Sequence, residues 1–226
     1  MRADLTIPEA LLLLGLHDRT GRNLSSYLRL LIAGGALGEM ALRGAIVRNP
    51  NKDDRYSWGE AGAVAALDDD LFLSRSREAI LRKKLDRPAR DVVSALSGGT
   101  DFLMPLYDTL VSRGALEREE KRFLFFSWTT YPTANPAAED ALKARLAHVL
   151  FAQGAVTERD SVTIALAKHG GLLPANFDRA RLKEHRERIK EIAAGKRLAA
   201  DATAAAIEAM QAALMTTLIM PAVIVN

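Results

Sequence analysis

At 226 residues, 49% hydrophobic and 26% charged, the chain has the size and composition of one globular domain with an ample core. The absence of cysteine excludes disulfides, thiolate nucleophiles and Cys-based zinc sites, and fits a reducing, cytoplasmic setting. The formal charge of +3 is small but unevenly spread. Basic residues are in excess over Arg75 to Arg90 and over Arg179 to Lys190. Such stretches attract phosphates or simply stand as solvated helix faces.

Met1-Arg2-Ala3-Asp4 leads straight into a helix carrying Glu9 and His17, with no small-residue cleavage site, so no signal peptide is expected. The apolar run Leu214 to Val225 covers only 12 residues. A spanning helix needs about 20, so no transmembrane segment is expected either.

In chain order, Thr6, Pro8 and Glu9 write a capping box for a Leu-rich helix over Ile7 to His17. A second helix is predicted over Leu24 to Leu42, with Gly34, Gly35 and Gly38 in its middle. Each interior glycine costs about 0.5–1 kcal/mol relative to alanine. The cluster therefore implies either a neighbour passing close or a break near Gly34-Gly35. Ala45 to Arg48 reads as a short strand, Asn49 to Asp54 as a loop, and Tyr56 to Trp58 and Ala63 to Leu67 as further short strands.

Helices are predicted over Leu71 to Lys84 and Asp91 to Leu96, then, after a Ser97-Gly98-Gly99 turn, over Phe102 to Arg113, stopped by Gly114. Ala115 to Glu117 and Phe123 to Trp128 form a hairpin around Glu119-Glu120-Lys121. Asn135-Pro136 opens a helix to about Gln153. Thr157 and Asp160 cap the next, which ends at His169-Gly170-Gly171. Asp178 opens a charged helix to about Ala194. An Ala-rich helix follows from Lys196, with Ile207, Met210, Leu214 and Leu218 on one stripe. The expected fold is mainly α: a single globular helical-bundle domain over residues 1–226, with short strands and a projecting apolar β-hairpin.

In an extended strand Phe123 and Phe125 face one side, and Leu124, Phe126 and Trp128 the other. Both faces are then apolar. One can pack on the helical body, and the other meets more core, a second subunit or a membrane edge.

Two motifs carry a resemblance. The first is an LT start, an acidic-capped Leu-rich helix, Gly15-Leu16 with Asp18, then Gly34-Gly35, Leu37, Glu39 and Met40-Ala41-Leu42-Arg43-Gly44 with Ile46. The second comprises Leu110, Val111, Gly114, Leu116, Phe123, Leu124, Phe125, Phe126, Thr129, Thr130 and Pro132 in register. Together they resemble the Golgi phosphoprotein 3 family, of which the chain looks like a bacterial member. The resemblance implies a phosphoinositide-binding domain whose hairpin lies at the membrane-facing side and is implicated in self-association. Eukaryotic members bind phosphatidylinositol 4-phosphate through one tryptophan and three arginines, guanidinium forks clamping the phosphate.

Carried over by the flanking motifs, those positions fall on Leu24 for the tryptophan and on Ala33, Thr100 and Leu103 for the arginines. None of the four can do that job. A displaced basic set is offered by Arg19, Arg22 and Arg29, near the same helix junction, and by Arg43, on the family's Arg-Gly motif, although Arg43 also reads as a cation on the last carbonyls of its helix. The basic arm through which eukaryotic members engage vesicle coats has no counterpart before Leu5, and coat binding is not implied.

No catalytic constellation is legible. His17, His148, His169 and His185 have no partner at ligand spacing, and neither a metal motif, a P-loop nor GxGxxG is present. Glu39 reads as a buried acid paired with Arg43 four residues on. No cofactor is called for. The expected function is a non-enzymatic peripheral membrane binding or adaptor protein, cytoplasmic and at the inner membrane surface. Its partners are anionic or inositol phospholipid head groups, and it contacts membrane or a second copy through Phe123, Phe125, Phe126 and Trp128. The alternatives are a winged-helix-like nucleic-acid-binding regulator or a cytoplasmic dimeric scaffold. Asp101 and Asp108 on the would-be recognition helix argue against nucleic acid.

Overall fold

The computed structural model describes residues 4–49, 55–83, 88–152 and 154–198. The first helix, α1 (Ile7–Gly15), starts as the sequence predicts. The Glu9 amide donates to Thr6 Oγ1 at 3.4 Å, and the Thr6 amide donates to Glu9 Oε2 at 2.8 Å. Every residue of α1 is buried. A helix apolar on all sides belongs at the centre of a domain, and α1 is packed against α2, α6, α7 and α8, defined below.

The second helix, α2 (Leu28–Leu42), begins four residues later than its pattern suggested, because Ser25–Tyr27 form a turn closed by the Leu28 amide on the Ser25 carbonyl. It runs unbroken through the glycines. A Cβ on Gly35 would lie 2.8 Å from Leu11 Cδ1 and 3.0 Å from Ile7 Cγ2, so this glycine lets α1 and α2 close on each other. Strands β1 (Ile46–Arg48) and β2 (Tyr56–Trp58) pair antiparallel. The strand expected over Ala63 to Leu67 is instead helix α3 (Ala61–Ala65) followed by a 3-10 turn over Ala66–Asp69. Alanine is the strongest helix former and outweighs so short an alternation.

Helices α4 (Leu71–Lys83), α5 (Ala89–Ser97) and α6 (Met104–Ser112) form one flank, with α5 packed on α2 and α4 on both α5 and α6. Part of the basic stretch ending at Arg90 lies outside the described residues.

The hairpin corrects the sequence expectation. Its strands are β3 (Glu119–Phe123) and β4 (Phe126–Thr130), paired antiparallel in the register Phe123 with Phe126, Lys121 with Trp128 and Glu119 with Thr130. The turn is therefore Leu124-Phe125, and Glu119-Glu120-Lys121 belong to a strand. Directly opposed residues share a face. Phe123, Phe126 and Trp128 line one face beside Lys121, while Glu120, Arg122, Ser127 and Thr129 make the other. Only one face is apolar, and it continues into the tip.

The remainder is helical: α7 (Ala137–Phe151), α8 (Glu158–His169), α9 (Leu173–Asn176), α10 (Arg179–Glu184) and α11 (Arg186–Ala193). Thr157 and Asp160 form the expected capping box, and Asn135 Oδ1 accepts from the Ala137 amide at 3.0 Å. Asp178 caps α10, but the single charged helix expected from there is split at His185. The Ala-rich helix predicted over Ile207, Met210, Leu214 and Leu218 lies outside the described residues.

Candidate functional site

The hairpin tip is the largest apolar feature left in water among the described residues. Phe125 is 99% exposed, Leu124 80%, Phe126 73%, Phe123 65% and Trp128 49%. Large contiguous apolar patches are rare on soluble monomers and mark surfaces that meet a partner or a membrane. Leu124 sits at φ 53°, the only described non-glycine residue in the left-handed region. Two-residue hairpin turns favour Asn, Asp or Gly there. A leucine held in that conformation and 80% exposed buries little of its surface in the fold.

The base of the hairpin is built on aromatic and ionic contacts. Arg118, just before β3, donates to the Tyr131 hydroxyl from Nε at 3.3 Å and from Nη2 at 3.2 Å, and Nη2 also pairs with Asp108 Oδ1 at 3.2 Å. Tyr131, just after β4, stacks on Tyr107 of α6 with ring centroids 3.9 Å apart. Burial, with Tyr131 close by, pushes the Tyr107 phenol up to about 12. Both strands are thus tied to α6.

The α1–α2 loop packs against the same base. Gly21 adopts φ +63°, and a Cβ there would meet the Tyr131 backbone nitrogen at 2.5 Å. The Thr133 amide donates to the Asp18 carbonyl at 2.8 Å. Arg19 and Arg22 of this loop are exposed, and neither guanidinium has a hydrogen bond or ion pair among the described residues. Two solvated cations therefore stand where the hairpin leaves the body.

Arg29 and Arg43, the other two members of the expected basic set, are engaged inside the protein. Arg29, in the first turn of α2, donates to the Ser97 carbonyl from Nε at 2.9 Å and from Nη2 at 2.8 Å, and also to the Gly99 carbonyl. Its guanidinium lies 5.9 Å from the Phe102 ring centre. The fork satisfies the C-terminal end of α5. Arg43 points its Nε at Glu39 Oε1, 3.1 Å away, and its Nη2 toward Asp70 at 3.6 Å, rather than onto the carbonyls of its own helix.

Of the family-equivalent positions, Leu24 is partly exposed in the α1–α2 loop, and Ala33 is fully buried in α2. Thr100 is exposed in the α5–α6 turn, and Leu103 is buried at the start of α6. Arg29 brings the first turn of α2 against the α5–α6 turn, so the elements that carry these positions do meet.

Sequence reasoning found the Glu39–Arg43 pair but missed its stronger partner. Arg159 of α8 forks the Glu39 carboxylate, Nη2 to Oε1 at 2.7 Å and Nε to Oε2 at 3.0 Å, and the Ile7 amide donates to Oε2 at 3.1 Å. Burial alone pushes the Glu39 carboxyl up, but Arg159, the Ile7 amide and Arg43 outweigh it and hold it below the usual carboxylate range. Arg113 pairs with Glu9 at 3.0 Å alongside. These groups are consumed in holding α1, α2, α6 and α8 together. Among the described residues no group of three or more acidic or histidine side chains could hold a metal, and no helix is long and apolar enough to cross a membrane.

A mainly helical body, with an apolar hairpin tied to α6 and to the α1–α2 loop, is the architecture to which the sequence comparisons attach. The chain belongs to the Golgi phosphoprotein 3 (GPP34) family, whose model matches residues 7–210. It is similar to Vacuolar protein sorting-associated protein 74 of Eremothecium gossypii, 30% identical over 173 residues, which cover 65% of this chain and 49% of that protein. The protein of the same name from Schizosaccharomyces pombe is 30% identical over 168 residues, 65% of this chain and 48% of its own length. The chain spans about half the length of the curated relatives it matches.

Proposed function

We propose that this protein is a non-enzymatic, peripheral membrane-binding adaptor that docks on anionic bilayers through its hairpin tip. The observation that supports this most is the set of five exposed apolar side chains, Phe123 to Phe126 with Trp128, gathered at one tip. Apolar insertion and electrostatic attraction are each weak alone, and firm docking takes both together. Arg19 and Arg22 at the hairpin base supply the second. The substituted Leu24, Ala33, Thr100 and Leu103 favour generic anionic or inositol phospholipid over a clamped phosphatidylinositol 4-phosphate. The site of action is the cytoplasmic face of a membrane, the inner membrane if the source is bacterial.

Vesicle flotation tests the reading. Recovery with anionic phosphatidylglycerol vesicles, little with neutral phosphatidylcholine, and loss in Phe125→Asp are expected. Equal, negligible recovery with both vesicles overturns it. The same exposed tip also suits a second copy of the chain. If light scattering shows Phe125→Asp converting a dimer to a monomer while neither form floats, the protein is a scaffold. A nucleic-acid role is disfavoured, because an apolar wing tip and Asp101 and Asp108 would meet phosphates.

A further inference from the structure

The root of the hairpin holds two carboxylates that share one ammonium. Glu139, in the first turn of α7, pairs with Lys143 one turn on, Oε1 to Nζ at 2.5 Å, and the same Nζ lies 4.0 Å from Asp18 Oδ2 in the α1–α2 loop. Thr133, just beyond β4, donates from Oγ1 to Glu139 Oε2 at 3.4 Å, while its amide donates to the Asp18 carbonyl at 2.8 Å. Helix α7, the chain leaving the hairpin and the loop that carries Arg19 and Arg22 therefore meet around one carboxyl group.

The two acids differ in burial. Glu139 is 3% exposed, whereas the Asp18 side chain is 60% exposed. The groups acting on Glu139 are Lys143 from its own helix, Asp18 from the loop and Thr133 from the hairpin's exit. Burial, with Asp18 adding to it, outweighs Lys143 and the Thr133 hydroxyl and holds the Glu139 carboxyl above the usual carboxylate range. It takes up a proton at milder acidity than an ordinary carboxyl does.

At neutral pH three cations here, Lys143, Arg19 and Arg22, accompany two carboxylates. A solvent proton on Glu139 leaves them one. The neutral acid still accepts from Thr133 through its carbonyl oxygen, so the root keeps that hydrogen bond and loses only the charge. An anionic leaflet carries a negative surface potential that draws cations and protons alike. We propose that docking on an anionic bilayer is proton-linked, with Glu139 taking up the proton and the root presenting the added positive charge to the membrane. This rests on the membrane-docking reading above and adds its regulation. Linkage makes the effect reciprocal: protonation tightens docking, and docking raises the proton affinity of Glu139 by the same factor.

Flotation of the full chain with phosphatidylglycerol vesicles across a pH series tests this. His17, whose Nδ1 accepts the Arg19 amide at 3.3 Å in the same loop, is replaced by Gln throughout so that its imidazole adds no charge. Between about pH 7.5 and about pH 5.5 the partition of this parent onto the vesicles is expected to rise about fivefold, the effect of one unit charge near an anionic surface. Glu139→Gln should already partition at neutral pH as its parent does at the acid end, and vary little between the two. Lys143→Met removes the counter-ion and should move the midpoint of the pH profile toward neutral. Circular dichroism checks that each variant is folded. A Glu139→Gln profile parallel to its parent's, or a midpoint that Lys143→Met leaves in place, overturns the proposal while docking itself stands. Negligible recovery of every variant at every pH overturns the docking reading and this inference with it.

Discussion

Arg159 forks the carboxylate of Glu39 across 120 residues of sequence, through contacts of 2.7 and 3.0 Å. The same carboxylate accepts from the Ile7 amide at the start of α1. One buried acid therefore joins α2, α8 and the central helix.

Removing one partner of a buried pair leaves an uncompensated charge, at a cost of about 3–5 kcal/mol. Glu39→Gln and Arg159→Leu are each expected to lower stability in urea unfolding, but by less than that, because the Arg159 side chain is 32% exposed and Arg43 still faces Glu39. The double variant should lose less than the sum of the two, because the orphaned charge is then gone.

The pH dependence follows from the same pair. Glu39 ionises at lower pH in the folded protein than in the unfolded chain, whose carboxyl titrates at about 4.3. Its contribution is therefore fully present above that unfolded value and is lost as pH falls through the lower folded one. Wild-type urea midpoints should drop between neutral and acid pH more steeply than those of Glu39→Gln. Parallel curves would show that Glu39 does not carry this acid sensitivity.

Gly21 supports the hairpin from beneath. Alanine there meets both a left-handed backbone and the Tyr131 main chain. Gly21→Ala is expected to destabilise by more than about 1 kcal/mol. Hydrogen exchange should accelerate in the 16–24 loop and at 131–133 before it changes in α1.

The arginines divide by what they touch. Arg29→Ala removes charge-assisted bonds to Ser97 and Gly99, worth about 1.5–3 kcal/mol each where they hold a charged group. It should lower the melting temperature while leaving vesicle recovery intact. Arg19→Ala with Arg22→Ala should do the reverse: unchanged melting, reduced recovery on anionic vesicles, and a weaker dependence on salt.

What the sequence revealed was local. The α1 and α8 capping boxes are written within four residues each, and the Gly114 stop and the family motifs are likewise read along the chain. The Arg159 fork on Glu39 and the Arg29 fork on Ser97 join residues 120 and 68 positions apart, and no spacing rule signals them. The hairpin was misread for a different reason. Glu119-Glu120-Lys121 reads as a turn only by its polarity, without the Gly, Asn or Asp that turn chemistry uses, and here the apolar Leu124-Phe125 form the turn itself. That inversion, with Leu124 at positive φ, leaves the apolar tip unburied within one copy.

Trp128 offers the most direct test of the tip. The chain holds two tryptophans, Trp58 in β2 and Trp128 in β4. In a Trp58→Phe background, emission from Trp128 alone should shift to the blue and resist aqueous quenchers when phosphatidylglycerol vesicles are added. It should stay unchanged with phosphatidylcholine vesicles and in the Phe125→Asp variant. Emission from Trp128 that is identical with and without anionic vesicles, while the protein remains folded, would contradict membrane docking by the hairpin.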